Sequence, residues 1–183
     1  MLLNKENSCL VLIDVQEKLT PLVLNHTKLI QQCHKLLCLA QHLQVPILIS
    51  EQYPQGLGQT LSCLKANISS ECIVTKTYFS CWRSALFQQQ LLALKKPYIV
   101  LIGIETHVCI LQSALDLKAQ GFEVFVVTNA VSSRFEHDHQ QGLHRLGQHH
   151  IQLVTVEMVF FEWLEDANTP LFKQLSRDFF KKK

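Results

Sequence analysis

Five short apolar runs, broken by a polar residue only at Gln152, constrain what this sequence can fold into more than any other feature. They occupy residues 9–13, 45–49, 98–102, 124–127 and 151–154, with a weaker one at 72–74. Runs of this length, rich in Val and Ile and not alternating with polar residues, predict strands buried on both faces, as in a parallel sheet. Amphipathic stretches at helical spacing lie between them: Leu29, Leu36, Leu37, Ala40 and Leu43; Ala85, Leu86, Leu92 and Leu94; Ile110, Leu111, Ala114, Leu115 and Leu117; and Leu143 with Leu146. A last helical region is predicted over 157–180, interrupted near Pro170. Alternating strand and helix predicts a three-layer α/β/α fold around a parallel sheet.

The 183 residues suffice for one domain with a substantial core, and no internal repeat or linker composition divides them. Residues 1–183 are therefore expected to form a single domain. Residues 51–70, with Pro54, Gly56 and Gly58, are predicted to be irregular, and a loop of that length in a compact domain is often functional.

Apolar residues make up 48% of the chain and charged residues 17%, which excludes a disordered segment. A net charge of +2 is too small to argue for a nucleic-acid partner, and the basic run Lys181-Lys182-Lys183 reads as a solvated tail. No apolar stretch approaches the ~20 residues of a membrane span. Residues 1–7 lack a basic start, a long apolar run and a cleavage site, so a cytoplasmic protein without a membrane partner is expected. The seven cysteines are odd in number and show no CxxC spacing. In a reducing compartment most act as small buried hydrophobes, and the question is whether one differs.

Ligands of open parallel sheets bind beyond the carboxyl ends of the strands. The polar clusters of the chain fall there: Asp14-Val15-Gln16-Glu17, Ser50-Glu51-Gln52-Tyr53, Thr75-Lys76-Thr77-Tyr78-Phe79, Gly103-Ile104-Glu105-Thr106-His107-Val108-Cys109, and Thr128-Asn129-Ala130 with Ser132, Ser133 and Arg134 behind it. Asp14 could cap the following helix, or serve as a base held against apolar neighbours. Lys76 could be a surface lysine. Buried beside a carboxylate and a thiol, it would instead hold the thiol as thiolate. Cys109 falls near a helix start, where backbone amides lower a thiol pKa and can hold an oxyanion. It could equally be a buried helix cysteine. Gly103 permits an unusual backbone geometry before that turn.

The segments Leu12-Ile13-Asp14-Val15-Gln16, Lys76-Thr77-Tyr78-Phe79-Ser80 and Gly103-Ile104-Glu105-Thr106-His107-Val108-Cys109 resemble the three signatures of the isochorismatase-like cysteine hydrolases. That superfamily includes nicotinamidases, N-carbamoylsarcosine amidohydrolases and isochorismatases. Glu51-Gln52-Tyr53-Pro54-Gln55-Gly56-Leu57-Gly58 further resembles the isochorismatase-domain-containing subgroup. Three motifs in order, each in a matching strand-end context, are a specific signal. The resemblance implies a six-stranded parallel sheet and a catalytic set of Asp14 as base, Lys76 as its cationic partner and Cys109 as nucleophile. It also implies a non-proline cis peptide between Ile104 and Glu105, with the amides of Glu105 and Cys109 at the substrate oxyanion. Gln16, Leu19, Tyr53, Phe79, Trp82 and His107 are the candidate substrate contacts.

The implied function is hydrolysis of a small molecule, an amide or carbamoyl compound, through a thioester, by a homo-oligomer. Isochorismatases of the same superfamily cleave a vinyl ether instead. Nicotinamidases hold a metal through an Asp-x-His pair and a further His after the second strand. Glu51-Gln52-Tyr53 stands in that place here, so no metal and no cofactor is expected. Where the family usually carries an aromatic in the first motif, this chain has Leu19.

The nine histidines invite a metal reading, but His137-Asp138-His139 and His149-His150 are expected on a solvated helical face away from the strand-end rim. The turn after the first strand has no glycine for a dinucleotide, and no P-loop occurs. A non-catalytic binding or assembly module retaining a relict site is the alternative of a different class. The intact Asp-Lys-Cys set argues against it. The aromatics Phe160, Phe161, Trp163, Phe172, Phe179 and Phe180 could pack internally or mark an interface between copies.

Overall fold

The structure, a computed structural model, describes residues 1–180, so the basic run at 181–183 lies outside the described residues. Six parallel strands form one sheet in the order β3-β2-β1-β4-β5-β6. They are β1 (Ser8–Ile13), β2 (Ile47–Gln52), β3 (Ile73–Lys76), β4 (Tyr98–Ile104), β5 (Glu123–Ser132) and β6 (Gln152–Val154). The helices are α1 (His26–His42), α2 (Pro54–Leu57), α3 (Ser62–Lys65), α4 (Ala85–Leu94), α5 (Leu111–Ala119), α6 (Glu136–Gln148), α7 (Val156–Leu164) and α8 (Pro170–Phe179).

Every residue of β1 is buried, as its unbroken apolar run requires of a central strand. Alternate side chains divide between two cores. Leu10, Leu12, Val100, Ile102, Phe125 and Val127 face a layer built from α1, α7 and α8, where Leu36, Phe160, Trp163 and Phe179 pack. Cys9, Val11, Ile99, Leu101, Val124 and Val126 face α4, α5 and α6 through Phe87, Leu91, Ala114, Leu117 and Leu146. The fold is the expected three-layer α/β/α arrangement with a six-stranded parallel sheet. No described helix is long and apolar enough to cross a membrane.

The C-terminal aromatics divide between two roles. Phe160, Trp163 and Phe179 are buried, with Phe160 and Phe179 ring centroids 4.2 Å apart, whereas Phe161 and Phe180 stay 46% and 43% exposed.

The chain moves outward from β1 through β2 to β3, then returns to β4 on the other side. This leaves a switch point between β1 and β4, where loops diverge and a crevice opens at the carboxyl ends. The stretch 51–70 is more ordered than its composition suggests. It holds the single-turn helices α2 and α3, and the side chain of Gln16 closes it from below. The Gln16 amide donates to the carbonyls of Gln52 (3.0 Å) and Gly58 (2.6 Å) and accepts from the Gln52 N–H (2.7 Å).

Candidate active site

Asp14 and Cys109 flank the switch point, and Lys76 reaches them from the end of β3. Asp14 follows β1 in a left-handed conformation, φ 55°, that turns its carboxylate into the crevice. There it accepts hydrogen bonds from Ser50 Oγ (2.8 Å) and Lys76 Nζ (2.7 Å). The Asp14 and Lys76 side chains are both fully buried. Nζ also donates to Gln52 Oε1 (2.7 Å) and the Phe79 carbonyl (3.1 Å), and lies 3.8 Å from Cys109 Sγ. These polar partners are what make a buried ammonium tolerable.

Cys109 sits in a π-helical turn, Thr106–Ile110, between β4 and α5. Such turns are rare and occur disproportionately at functional sites. The Ile104–Glu105 peptide just before it is cis. The Glu105 carbonyl accepts the N–H groups of Val108 and Ile110 (both 3.1 Å), which ties the cis peptide to the turn that carries Cys109.

Burial pushes the Cys109 thiol up, and the Asp14 charge raises it further, against the smaller opposing pull of Lys76 and the Glu105 amide. Burial likewise raises the Asp14 carboxyl, opposed by Lys76, Cys109 and Ser50. Both directions favour the neutral thiol over the expected resting thiolate, with Cys109 only 7% exposed. The arrangement can transfer a proton between sulfur and carboxylate while the ammonium beside them stays fixed.

The other candidate residues scatter around this centre. Tyr53 and Phe79 stand exposed at the rim, and the Tyr53 N–H donates to the Lys76 carbonyl (3.0 Å). Gln16 is fully buried and committed to the loop backbone, so it shapes the rim from behind. Leu19 packs into the core on the α1 side of the sheet. Trp82 lies elsewhere. It packs edge-on against Phe122, 5.7 Å between centroids, at the amino end of β5 and thus at the opposite end of the sheet from Cys109. Two groups occupying the place of the nicotinamidase metal site already have partners: Glu51 Oε1 accepts the Thr60 N–H (2.7 Å), and Gln52 holds Lys76. Among the described residues no cluster of His, Cys, Asp or Glu could hold a metal ion.

A second correction concerns Asp138 and His139. They do not lie away from the rim. The first turn of α6 packs on the Cys109 turn, and residues 133–139 hold each polar side chain at its start. Glu105 Oε2 accepts from both the backbone N–H (3.1 Å) and Nε (3.2 Å) of Arg134. Thr106 Oγ1 pairs with His139 Nδ1 (2.9 Å), and His107 Nδ1 with Ser133 Oγ (3.0 Å). His107 Nε2 lies 3.9 Å from Asp138 Oδ2. Gly142 makes this approach possible, because a Cβ there would stand 3.0 Å from His107 Cα.

Comparison with known proteins gives a consistent answer. A model of the isochorismatase domain matches residues 8–158. Isochorismatase domain-containing protein 2 of Danio rerio is 36% identical over 176 residues, which cover 96% of this chain and 88% of that protein. A structure described as the MAR1 ribonuclease of Caenorhabditis elegans superposes with a TM-score of 0.88 at 32% identity, covering 97% of this chain and 91% of that one. The ycaC gene product of Escherichia coli, described as an octameric hydrolase of unknown specificity, gives a TM-score of 0.88 at 24% identity, covering 98% and 96%.

Proposed function

This chain belongs to the isochorismatase-domain family of cysteine hydrolases, and from that premise we propose that it hydrolyses a small amide or carbamoyl compound through a thioester on Cys109. One observation carries the reading. A thiol, a carboxylate and an ammonium converge in a buried crevice at the switch point of the sheet, with Lys76 Nζ 2.7 Å from Asp14 Oδ2 and 3.8 Å from Cys109 Sγ.

In the proposed cycle Asp14 takes the thiol proton as sulfur attacks the carbonyl carbon, and Lys76 offsets the negative charge that moves from carboxylate to sulfur. A carboxyl raised by burial is a stronger base than an exposed one, which suits this step. The carbonyl electron pair moves onto oxygen, which the amides of Glu105 and Cys109 receive. The tetrahedral adduct then expels the amine, protonated by Asp14, and leaves the acyl group on sulfur. Water, deprotonated by Asp14, attacks the thioester and releases acid and thiol. Tyr53, Phe79 and His107 contact the substrate at the rim, and no metal takes part.

The same reading takes residues 1–183 as one domain working in the cytoplasm, for which the seven free thiols are support. It also takes the protein as a homo-oligomer, supported by the octamer described for the ycaC product and by the exposed Phe161 and Phe180.

A panel of small amides and carbamoyl compounds tests the chemistry, with intact-mass detection of an adduct mapped to Cys109. RNA belongs in the same panel, because the worm neighbour is described as a ribonuclease. With a net charge of only +2, this chain offers phosphate backbones little counterion-release attraction. RNA cleavage that survives Cys109→Ala, with no acyl adduct from any amide, would replace the thioester mechanism.

A further inference from the structure

Glu105 does two things at once. Its backbone carbonyl accepts the N–H groups of Val108 and Ile110 (both 3.1 Å) on either side of Cys109, and its carboxylate, with the side chain only 13% exposed, takes two hydrogen bonds from Arg134. Of the three residues that residues 133–139 hold at the start of the turn, Glu105 is the one whose amide the proposed cycle places at the oxyanion. Both donors come from one residue and converge on one oxygen, so the Arg134 main chain and side chain together fix where that carboxylate sits. The Glu105 side chain joins this anchor to the amide through a few rotatable bonds. A surface ion pair of this kind is ordinarily worth almost nothing to stability. Its interest here is positional.

We infer that Arg134 is a positioning residue for acyl transfer, acting through the Glu105 carboxylate to hold the Glu105 amide where the substrate oxyanion forms. The inference rests on the proposed cysteine chemistry and adds to it a residue 25 positions beyond the nucleophile, on the loop between β5 and α6. An oxyanion donor works by being in place before charge develops on oxygen. Releasing its anchor leaves the donor present but misplaced, and misplacement of about 1 Å can cost on the order of 100-fold in rate. The thiol itself and its two charged neighbours keep their own contacts when Arg134 is removed, since none of the hydrogen bonds of Asp14 or Lys76 involves it.

Two probes separate positioning from general loosening. Acetylation of Cys109 by p-nitrophenyl acetate passes through an oxyanion. Alkylation by iodoacetamide displaces iodide at a methylene carbon and leaves no charge on a carbonyl oxygen. In the full chain, Arg134→Ala is expected to slow acetylation of Cys109 by about 10- to 100-fold while alkylation at the same residue changes by less than about 3-fold, both read by peptide mapping. Glu105→Ala removes both hydrogen bonds and should slow acetylation at least as much as Arg134→Ala, which keeps the main-chain donor, and the double variant should be no slower than Glu105→Ala. Arg134→Lys keeps the main-chain donor and a side-chain cation for the Glu105 carboxylate and should recover most of the acetylation rate; it guards against a misfolded alanine variant. Acetylation undiminished in Arg134→Ala, or acetylation and alkylation falling together, overturns the inference alone. Failure of the unsubstituted protein to acetylate at Cys109 overturns the cysteine-hydrolase reading, and the inference with it.

Discussion

Gly103 brings β4 against β1 more closely than any side chain would allow: a Cβ there would stand 2.1 Å from the carbonyl oxygen of Ile13, on a backbone with φ 121°. Ile13 precedes Asp14, and Gly103 opens the turn to Cys109, so this contact sets the separation of base and nucleophile. Gly103→Ala combines positive-φ strain with a main-chain clash. We expect it to destabilise the protein by at least about 2 kcal/mol, read as a lowered denaturant midpoint. An unchanged midpoint would show that the two strands can part without cost.

Thiol reactivity and turnover should move in opposite directions in Asp14→Asn. The Asp14 charge raises the Cys109 thiol, so removing it lowers the pKa and speeds alkylation by iodoacetamide at neutral pH. Turnover loses its base and should fall by about 100-fold or more. Lys76→Met removes an opposing charge and should shift the alkylation profile to higher pH. In the unsubstituted protein, exposed Cys63 should label before Cys109, whose thiol is buried and shifted upward. Faster labelling of Cys109 at pH 7 would restore the resting thiolate.

Lys76→Met should also cost about 3–5 kcal/mol of stability, because it leaves Asp14 buried and unpaired. The sign with pH follows from the direction of the Asp14 shift. Its folded carboxyl lies above the unfolded value and rises further without Lys76, so the protonated form is the tolerated one. The deficit of the variant should therefore shrink as pH falls from neutrality toward the ordinary carboxylate range. Denaturant titrations at pH 5 and pH 8 check this, and a deficit independent of pH would mean that Asp14 finds another partner.

Light scattering at micromolar concentration should report a multimer. Phe161, Phe180, Met158 and Leu171 are all substantially exposed, which is unusual for a chain that works alone. Phe161→Asp should reduce the measured mass. A monomeric mass for the unsubstituted protein would refute the assembly.

Dialysis against a chelator should leave hydrolysis intact once a substrate is found, since Glu51 and Gln52 already hold Thr60 and Lys76. A stoichiometric metal lost together with activity would show that these partners yield to an ion.

Much of the architecture could be read from hydrophobic runs, because a strand buried on both faces leaves an unmistakable trace. That trace fades where polarity intervenes. β5 continues through Thr128, Asn129 and Ser132, past the apolar run, because it pairs with β4 again at Val131 and Ser132 after a register shift. The helices α2 and α3 are single turns, too short for a period to emerge. Helical spacing also says which face of α6 is polar but not what meets it, so the contacts of Asp138 and His139 with a turn some thirty residues away had no local signal. The same holds for Gln16, whose three hydrogen bonds go to backbone atoms that a sequence does not place. Trp82 stood beside a rim motif in the sequence but packs at the far end of α5. The upward shift of the Cys109 thiol comes first from its burial, which spacing along the chain cannot convey.

The sheet separates two cores, and the separation has a consequence for how such a protein can change over time. Cys109 packs with the side covered by α4, α5 and α6 and meets Asp14 and Lys76 at the strand ends, whereas the heavy aromatic packing of Phe160, Trp163 and Phe179 lies beyond the strands with α1, α7 and α8. The aromatic layer meets the crevice chiefly through Val15 and Ile104, the neighbours of Asp14 and Glu105 that pack on its side of the sheet. Selection can therefore rework most of that outer layer, for durability or for contact with new neighbours, as long as Val15 and Ile104 keep their seats and the reaction at the strand ends is inherited intact.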